Sequence, residues 1–391
     1  MSQRSTLQIP LVALAASVFV SACAALEPRV GLPETEVEAS AEAVPVAPQH
    51  PNRFELAYAE QSVVGDVQVV AVEGDNTLSD LARAYGLGYD EIVAANPDVD
   101  PWLPGVGTRV LLPTQYVLPP VRDGVVLNIA SKRLYYFPPR ADGEALLVYT
   151  FPIGIGRVGW ETPVGRTTVI AKARDPQWYV PWSVQQEHKA TGNPLPAVVP
   201  PGPDNPLGAF VLKLDMPGYL IHGTNQPYGV GMRVSHGCVR LYPENIEFLF
   251  PEVAIGADVS ILNEPFLLGE RNGELYFEAH VPLEDDTVAA ELRLATAIEQ
   301  FSDANRVELP QRATQHIEAI TSYGHGVPVR VYAYDEAEYL ARAIDVDNTV
   351  TADPDAPTLD EVRDMIDEVM AADEDAEVDM AGAAGLEGGV E

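Results

Sequence analysis

The sequence predicts an α+β multidomain chain, and three features predict it. From Val121 to about Asn263, short β-branched and aromatic runs alternate with Gly, Pro and Asn turns, the pattern of a mostly antiparallel β-sandwich. Ahead of it, residues 66–114 read strand, helix, helix, strand. Behind it, residues 264–345 mix a hairpin with two helical stretches, as a small mixed α/β C-terminal domain would. A chain of 391 residues has length for two or three domains.

Residues 1–25 read as an export signal: Arg4, an apolar run from Ile9 to Val20, then small residues. That run is too short for an ordinary membrane-spanning helix. Val20-Ser21-Ala22-Cys23 resembles a lipoprotein box, which would make a lipid on Cys23 the only membrane contact. Ala22-Cys23-Ala24 equally fits ordinary signal peptidase. Both readings put the mature chain outside the cytoplasm. Residues 26–65, rich in Ala, Glu, Pro and Val, read as a flexible linker spanning about 30–35 Å.

Within 66–114, Val67 to Val72 alternates as a strand and Gly74-Asp75 makes a turn. Asn76 or Thr77 caps a helix whose Leu78, Leu81, Ala82 and Tyr85 fall at helical spacing. Tyr89 to Ala95 forms a second helix ended by Asn96-Pro97, and Arg109 to Pro113 a closing strand.

The domain at 121–263 contains strands at Val125–Ile129, Arg133–Phe137, Ala145–Pro152, Thr167–Ala171, Ala209–Leu214 and Val259–Leu262. Only Pro243 to Phe250 reads as helical, with proline in its first turn and Ile246, Leu249 and Phe250 on one face. The Pro-rich stretch Asn193–Gly208 lacks ladder donors and is expected to cross the surface as the wall or lid of a cleft. Trp160, Trp178, Tyr179 and Trp182 are placed along that cleft or in the core, at least two of them in the core.

After residue 264, a hairpin turns at Asn272-Gly273, helical stretches run near Asp286–Phe301 and Gln311–Tyr323, and Pro328–Ala333 is a strand. His280, His316 and His325 read as surface or packing histidines. Residues 346–391 are dominated by Asp and Glu and read as a disordered acidic tail.

A formal net charge of −34 excludes a nucleic-acid partner, whose phosphates require a basic footprint. Two cysteines allow one disulfide, but Cys23 lies in the targeting segment and Cys238 in a motif, so none is expected between them.

That motif starts at Tyr219-Leu220-Ile221-His222-Gly223-Thr224-Asn225. After a Gly-rich turn, it resumes at Ser235-His236-Gly237-Cys238-Val239-Arg240-Leu241. A thiol with a pKa of about 8.5 becomes a nucleophile when a neighbouring imidazole takes its proton. His222 and His236 are both candidates for that base. His222 falls where an apolar strand opens into a loop, a rigid support for a catalytic group. Gly229, Gly231 and Gly237 let backbone approach a ligand and turn N–H groups toward an oxyanion. These are the parts of an acyl-transfer site. A packing role for the pair and a zinc site of His222, His236 and Cys238 are the alternatives.

The whole string, with Arg233, Thr162-Pro163-Val164-Gly165, Asp175-Pro176-Gln177-Trp178 and Pro200 through Gly208, resembles the signature of the L,D-transpeptidases of the YkuD-domain family. It is most similar to the periplasmic subgroup with a LysM module ahead of the catalytic domain. Gly74 to Leu78, Ala95-Asn96-Pro97 and Gly107 resemble LysM, a glycan-binding family; a spacer without glycan affinity is the alternative. The resemblance covers residues 66–345 and implies no cofactor.

It also implies that Cys238 attacks a peptidoglycan stem tetrapeptide before its terminal D-alanine, with His222 as proton donor and acceptor and the Gly223 carbonyl orienting the ring. His236 shapes the site, and Gly237 and Cys238 N–H groups form the oxyanion hole. Arg240, Ser235, Thr224, Asn225 and Arg233 are placed around the substrate. Arg240 grips a stem carboxylate or forms an internal salt bridge. The acceptor is open: a second stem's amine giving a 3→3 crosslink, a lysine of an outer-membrane protein, or water. A wall-tethering protein relying on LysM and a lipid, without chemistry, is the non-enzymatic alternative.

Overall fold

The computed structural model of the protein describes residues 52–190, 192–322, 324–333 and 338–350. The expected signal segment with Cys23, the linker up to residue 51 and the tail from residue 351 lie outside them. Among the described residues no helix is long and apolar enough to cross a membrane.

A nine-stranded, mostly antiparallel sheet carries the candidate site. Its order is Arg53–Leu56, Leu146–Pro152, Arg133–Phe137, Gly124–Asn128, Asp258–Leu262, Gly165–Arg174, Phe210–Leu214, Leu220–His222 and Val239–Arg240. Two neighbouring pairs are parallel, Gly124–Asn128 with Asp258–Leu262 and Leu220–His222 with Val239–Arg240. Strand Gly165–Arg174 makes the corner. Its first half pairs with Asp258–Leu262 and its second with Phe210–Leu214, and the register slips between Val169 and Ala171. A bulge there turns the sheet, so both halves close on one core. Val125, Leu127, Leu134 and Phe151 of the first half meet Phe210, Leu212, Ile221 and Val239 of the second.

The opposite face of the first half is also buried. Val126, Tyr135 and Val148 pack against Val70, Leu78, Leu81 and Ile92 of the N-terminal module. Runs such as Val125-Val126-Leu127 and Leu134-Tyr135-Tyr136, apolar on both faces, follow from this double burial. In the module, strands Gln68–Ala71 and Arg109–Leu112 pair antiparallel around helices Leu78–Ala84 and Tyr89–Ala95. Thr77 and Asp80 form a capping box on the first helix. Buried Asn96 donates to the carbonyls of Ile92 and Leu111 and accepts from Leu111 N–H, all at 2.8 Å, and so ties the second helix to the closing strand.

Two boundaries and one helix differ from the sequence reading. Within the expected linker, Arg53–Leu56 is an edge strand of the large sheet and Val63–Gly65 pairs with Gln115–Val117. Leu56 and Val64 supply the buried apolar side chains that make this possible. At the other end, Ile344–Val346 adds a parallel strand to Gln68–Val70, and Asn348 Nδ2 donates to Ala71 O at 3.0 Å. The first residues assigned to the tail are therefore ordered on the module. Finally, Trp182–Ala190 is a helix. Its single buried residue, Val184, gives no apolar periodicity to read.

Helix Pro243–Glu252 starts at its proline and buries Ile246 and Leu249 in the sandwich core. The hairpin Phe266–Arg271 and Glu274–Ala279 turns at Asn272 and Gly273, both at positive φ, and pairs with Val329–Arg330. Helices Ala290–Asn305 and Gln311–Ile320 cover it.

Candidate active site

Ile221 lies opposite Val239 and His222 opposite Arg240 on neighbouring parallel strands. Ile221, Val239 and Leu241 point into the sandwich core. Side chains alternate along a strand, so Leu220, His222 and Arg240 share the other face, and Cys238 stands directly before the strand that carries Arg240. The strand pairing therefore brings together the residues on either side of the Gly-rich turn.

His222 is 3% exposed. Its Nδ1 lies 2.6 Å from the Gly223 carbonyl oxygen, which accepts only, so Nδ1 carries the proton and Nε2 keeps a lone pair. Burial, then Arg240, lowers its pKa to about 3, with the Gly223 carbonyl opposing. The strand end is packed closely. A Cβ on Gly208, at φ +65°, would fall 2.8 Å from Thr224 N. Asn205 holds the Pro-rich stretch behind it, donating to Pro176 O at 2.8 Å and Pro200 O at 3.1 Å.

The half-buried Cys238 thiol donates to Gly218 O at 3.6 Å. Burial raises its pKa, while the Leu220 backbone and Arg240 pull it down. Gly237 before it, at φ +95°, takes a conformation natural to glycine. Thr162 Oγ1 donates to Gly237 O at 3.0 Å and accepts from Gly156 N–H at 3.0 Å. In a trans peptide the N–H opposes the C=O, so the Cys238 N–H is turned away from Thr162.

Arg240 forms no ion pair among the described residues, and its buried Nε has no hydrogen-bond partner there. The internal salt bridge is thus not formed among the described residues. Burial lowers its pKa, Cys238 opposes that shift, and Arg157 adds to it.

His236 points into a different network. Its Nε2 donates to Glu187 Oε2 at 2.8 Å, and Glu187 Oε1 pairs with Arg157. Trp160 meets the ring edge-on, with centroids 4.8 Å apart. Burial, then Arg157, Arg240 and His188, push the pKa of His236 down to about 3.

The other expected substrate contacts divide. Asn225 is exposed. Thr224 and Ser235 are buried and serve the loop: Thr224 Oγ1 accepts from Gln226 N–H at 2.9 Å, and Ser235 Oγ donates to Cys238 O. Arg233 pairs bidentately with Asp285, at 3.1 and 2.8 Å, which fixes the loop to the C-terminal region. Of the four aromatics, Tyr179 and Trp182 are exposed and Trp160 and Trp178 half-buried, so none is core. Strand Trp178–Tyr179 pairs with Val198–Val199 and makes a ribbon of the Pro-rich stretch.

Arg157, Thr162 in this role, and Glu187 escape the sequence reading. A Gly-x-Gly-Arg string, Gly154 to Arg157, following a strand was the available signal for Arg157. Nothing in the weakly patterned helix 182–190 marks Glu187. Among the described residues no group of three His, Cys, Asp or Glu side chains is arranged to hold a metal ion.

The YkuD family model, an L,D-transpeptidase catalytic domain, matches residues 122–261. The chain is 39% identical over 295 residues to the probable L,D-transpeptidase YcfS of Escherichia coli strain K12, covering 73% of this chain and 89% of that one. It is 43% identical over 226 residues to the probable L,D-transpeptidase YbiS of the same strain, covering 56% and 72%. A third relative, the probable L,D-transpeptidase ErfK/SrfK of Salmonella typhimurium, is 35% identical over 282 residues, covering 69% and 88%.

Proposed function

Given that the chain belongs to the YkuD family of L,D-transpeptidases, acyl transferases that act on peptidoglycan, we propose that Cys238 is its nucleophile and His222 its proton carrier. The observation that supports this reading is the pairing of His222 with Arg240, two residues after Cys238, whose guanidinium acts on both the imidazole and the thiol, with His222 Nε2 unprotonated. The lowered imidazole and raised thiol pKa values make the resting pair neutral.

In the first half-reaction the thiol proton passes to His222 Nε2 as Sγ attacks the carbonyl between the third stem residue and D-alanine. The oxyanion is met by the Cys238 N–H, whose direction Thr162 fixes through Gly237, and by the Gly237 N–H. Collapse breaks the C–N bond, the imidazolium protonates the leaving amine, and a thioester remains. An acceptor amine then gives its proton to His222, attacks the thioester and expels the thiolate, which takes the proton back. Arg240, which pairs with no carboxylate among the described residues, suits a stem carboxylate. His236 shapes the site from the Glu187 side.

The acceptor is either a second stem's amine, forming 3→3 crosslinks, or an outer-membrane protein's lysine; water would make the enzyme a carboxypeptidase. The βααβ order of residues 68–112 supports reading 66–114 as a LysM module holding the glycan. Location in the periplasm, by a cleaved signal or a lipid on Cys23, completes the proposal.

The test is incubation with tetrapeptide-bearing muropeptides, with and without candidate amines, and mass spectrometry of products and protein. A D-alanine-releasing adduct on Cys238 supports the reading. Turnover without an adduct, retained by Cys238→Ala, would overturn it. A protein that binds wall but forms no adduct would favour the tethering alternative.

A further inference from the structure

The loop from Gln226 to Ser235, which joins the two halves of the site, is clamped from both sides. On one side, Ile155 N–H donates to Met232 O and Arg157 N–H to Ser235 O, each at 3.0 Å. On the other side stands the N-terminal module. Tyr89 N–H donates to Val230 O at 3.1 Å. Gly88 and Gly231 meet backbone to backbone. A Cβ on Gly231, at φ +92°, would lie 2.4 Å from Gly88 Cα, and one on Gly88 would lie 2.7 Å from Gly231 Cα. Met232 and Val234 are buried with Tyr89, Trp102 and Tyr228 around them, and Tyr89 stacks on Trp102 with centroids 5.8 Å apart.

The clamp is anchored rather than hanging from its helix. Glu91 accepts from Gly88 N–H at 3.0 Å and pairs at 2.8 Å with Arg133, a buried residue of the large sheet. Tyr242, at the head of helix Pro243–Glu252, donates its hydroxyl proton to Leu87 O at 3.1 Å. The residues that touch the loop are thereby fixed to both halves of the sandwich. A module serving only to hold glycan has no use for such contacts with the loop ahead of Cys238.

We propose that Gly88 and Tyr89 are positioning residues of the acyl-transfer site: they set the path of loop 226–235 and, through it, the placement of Cys238 against His222. The proposal rests on the reading of Cys238 as nucleophile. It makes the module's contribution to chemistry separable from any hold on glycan, so a donor without sugar must feel it. Misplacing reacting groups by about 1 Å can cost on the order of 100-fold in rate, so a small displacement at Gly231 suffices.

The test uses the full chain and four variants: Gly88→Ala, Tyr89→Ala, the conservative Tyr89→Phe, and Leu103→Ala on the module's surface, where Leu103 is 68% exposed. Two quantities are read on folded protein: the rate of thioester formation on Cys238 with a sugar-free stem tetrapeptide, and the pH profile of Cys238 alkylation by iodoacetamide. Gly88→Ala and Tyr89→Ala are expected to slow acylation about tenfold or more and to shift the alkylation profile. Leu103→Ala should match wild type, and Tyr89→Phe, which keeps the ring stack, should recover most of the rate that Tyr89→Ala loses. Wild-type acylation with an unchanged profile in Gly88→Ala and Tyr89→Ala would overturn the proposal. Should Gly88→Ala not fold, the Tyr89 pair decides by the same criteria. Should wild type take no acyl group, the role of Cys238 falls, and the alkylation profiles alone decide whether the module positions the loop.

Discussion

Glu187 Oε2 accepts a hydrogen bond from His236 Nε2 at 2.8 Å, so a helix 49 residues earlier in the chain holds the imidazole two residues ahead of Cys238. The same carboxylate pairs with Arg157. Glu187→Ala removes both contacts and leaves a buried cation beside the site, and acylation of Cys238 should fall by about tenfold, a loss of about 1.4 kcal/mol in transition-state stabilisation. Glu187→Asp should recover part of it. Adduct formation followed by mass spectrometry measures both; equal rates in wild type and Glu187→Ala would make the network incidental.

The two histidines should separate. His222→Ala is expected to slow acylation by about 10²–10⁴-fold, the usual worth of a positioned general base. His236→Ala should retain a substantial rate, because its ring faces Glu187 and Arg157. The reverse ranking would exchange the proposed roles.

Arg240 should act in binding. Arg240→Ala is expected to raise KM for the tetrapeptide about tenfold or more, as expected when a charge-assisted hydrogen bond worth about 1.5–3 kcal/mol is lost. Arg240→Lys should recover little of it, since a single ammonium does not reproduce a bidentate grip. Steady-state kinetics with varied donor tests this; unchanged KM in Arg240→Ala would remove Arg240 from the substrate.

Acid should loosen the fold through His222. Its pKa is about 3 in the folded chain against the ordinary 6.5, so the unfolded chain binds the extra proton between those values. Its contribution is complete above pH 6.5 and is lost progressively as pH falls toward 3. By pH 5 the loss from this residue is on the order of 2 kcal/mol. Urea midpoints at pH 7 and pH 5 should differ in wild type and differ less in His222→Asn. Identical pH dependence in the two proteins would refute the assignment.

The buried pair Arg133 and Glu91 should be costly to break. Arg133, 1% exposed, also donates to Thr150 Oγ1 and Gly86 O. Glu91→Ala strands this cation and should destabilise by about 3–5 kcal/mol, whereas exchanging both partners for apolar residues should cost much less. Chemical denaturation distinguishes the two.

Much of the site was legible because its determinants are local. His222, Gly223, Gly237, Cys238 and Arg240 sit in two short strings, and one strand pairing unites them. The module's helices were readable from a Thr77 cap and the spacing of Leu78, Leu81 and Ala82. What escaped reading depends on distant partners. Arg53–Leu56 is a strand because Leu146–Pro152 offers an edge, and Glu187 meets His236 only in the folded chain. Ser235, Thr224 and Arg233 carry the right chemistry for a ligand, but their hydroxyls and guanidinium are committed to the loop and to Asp285. Residue type announces what a side chain is able to do; only packing decides for whom.

The strand Ile344–Val346 is laid beside Gln68–Val70, and Leu56, from the strand laid along Leu146–Pro152, shares a buried core with residues 70–112, so segments from both flanks of the sequence hold this module. Such a piece is stitched in, not plugged in. Swapping it for a homologous cassette, or trimming the chain before residue 344, would open seams in neighbouring regions as well, so chimeras cut at the apparent borders should express poorly even when each half looks whole.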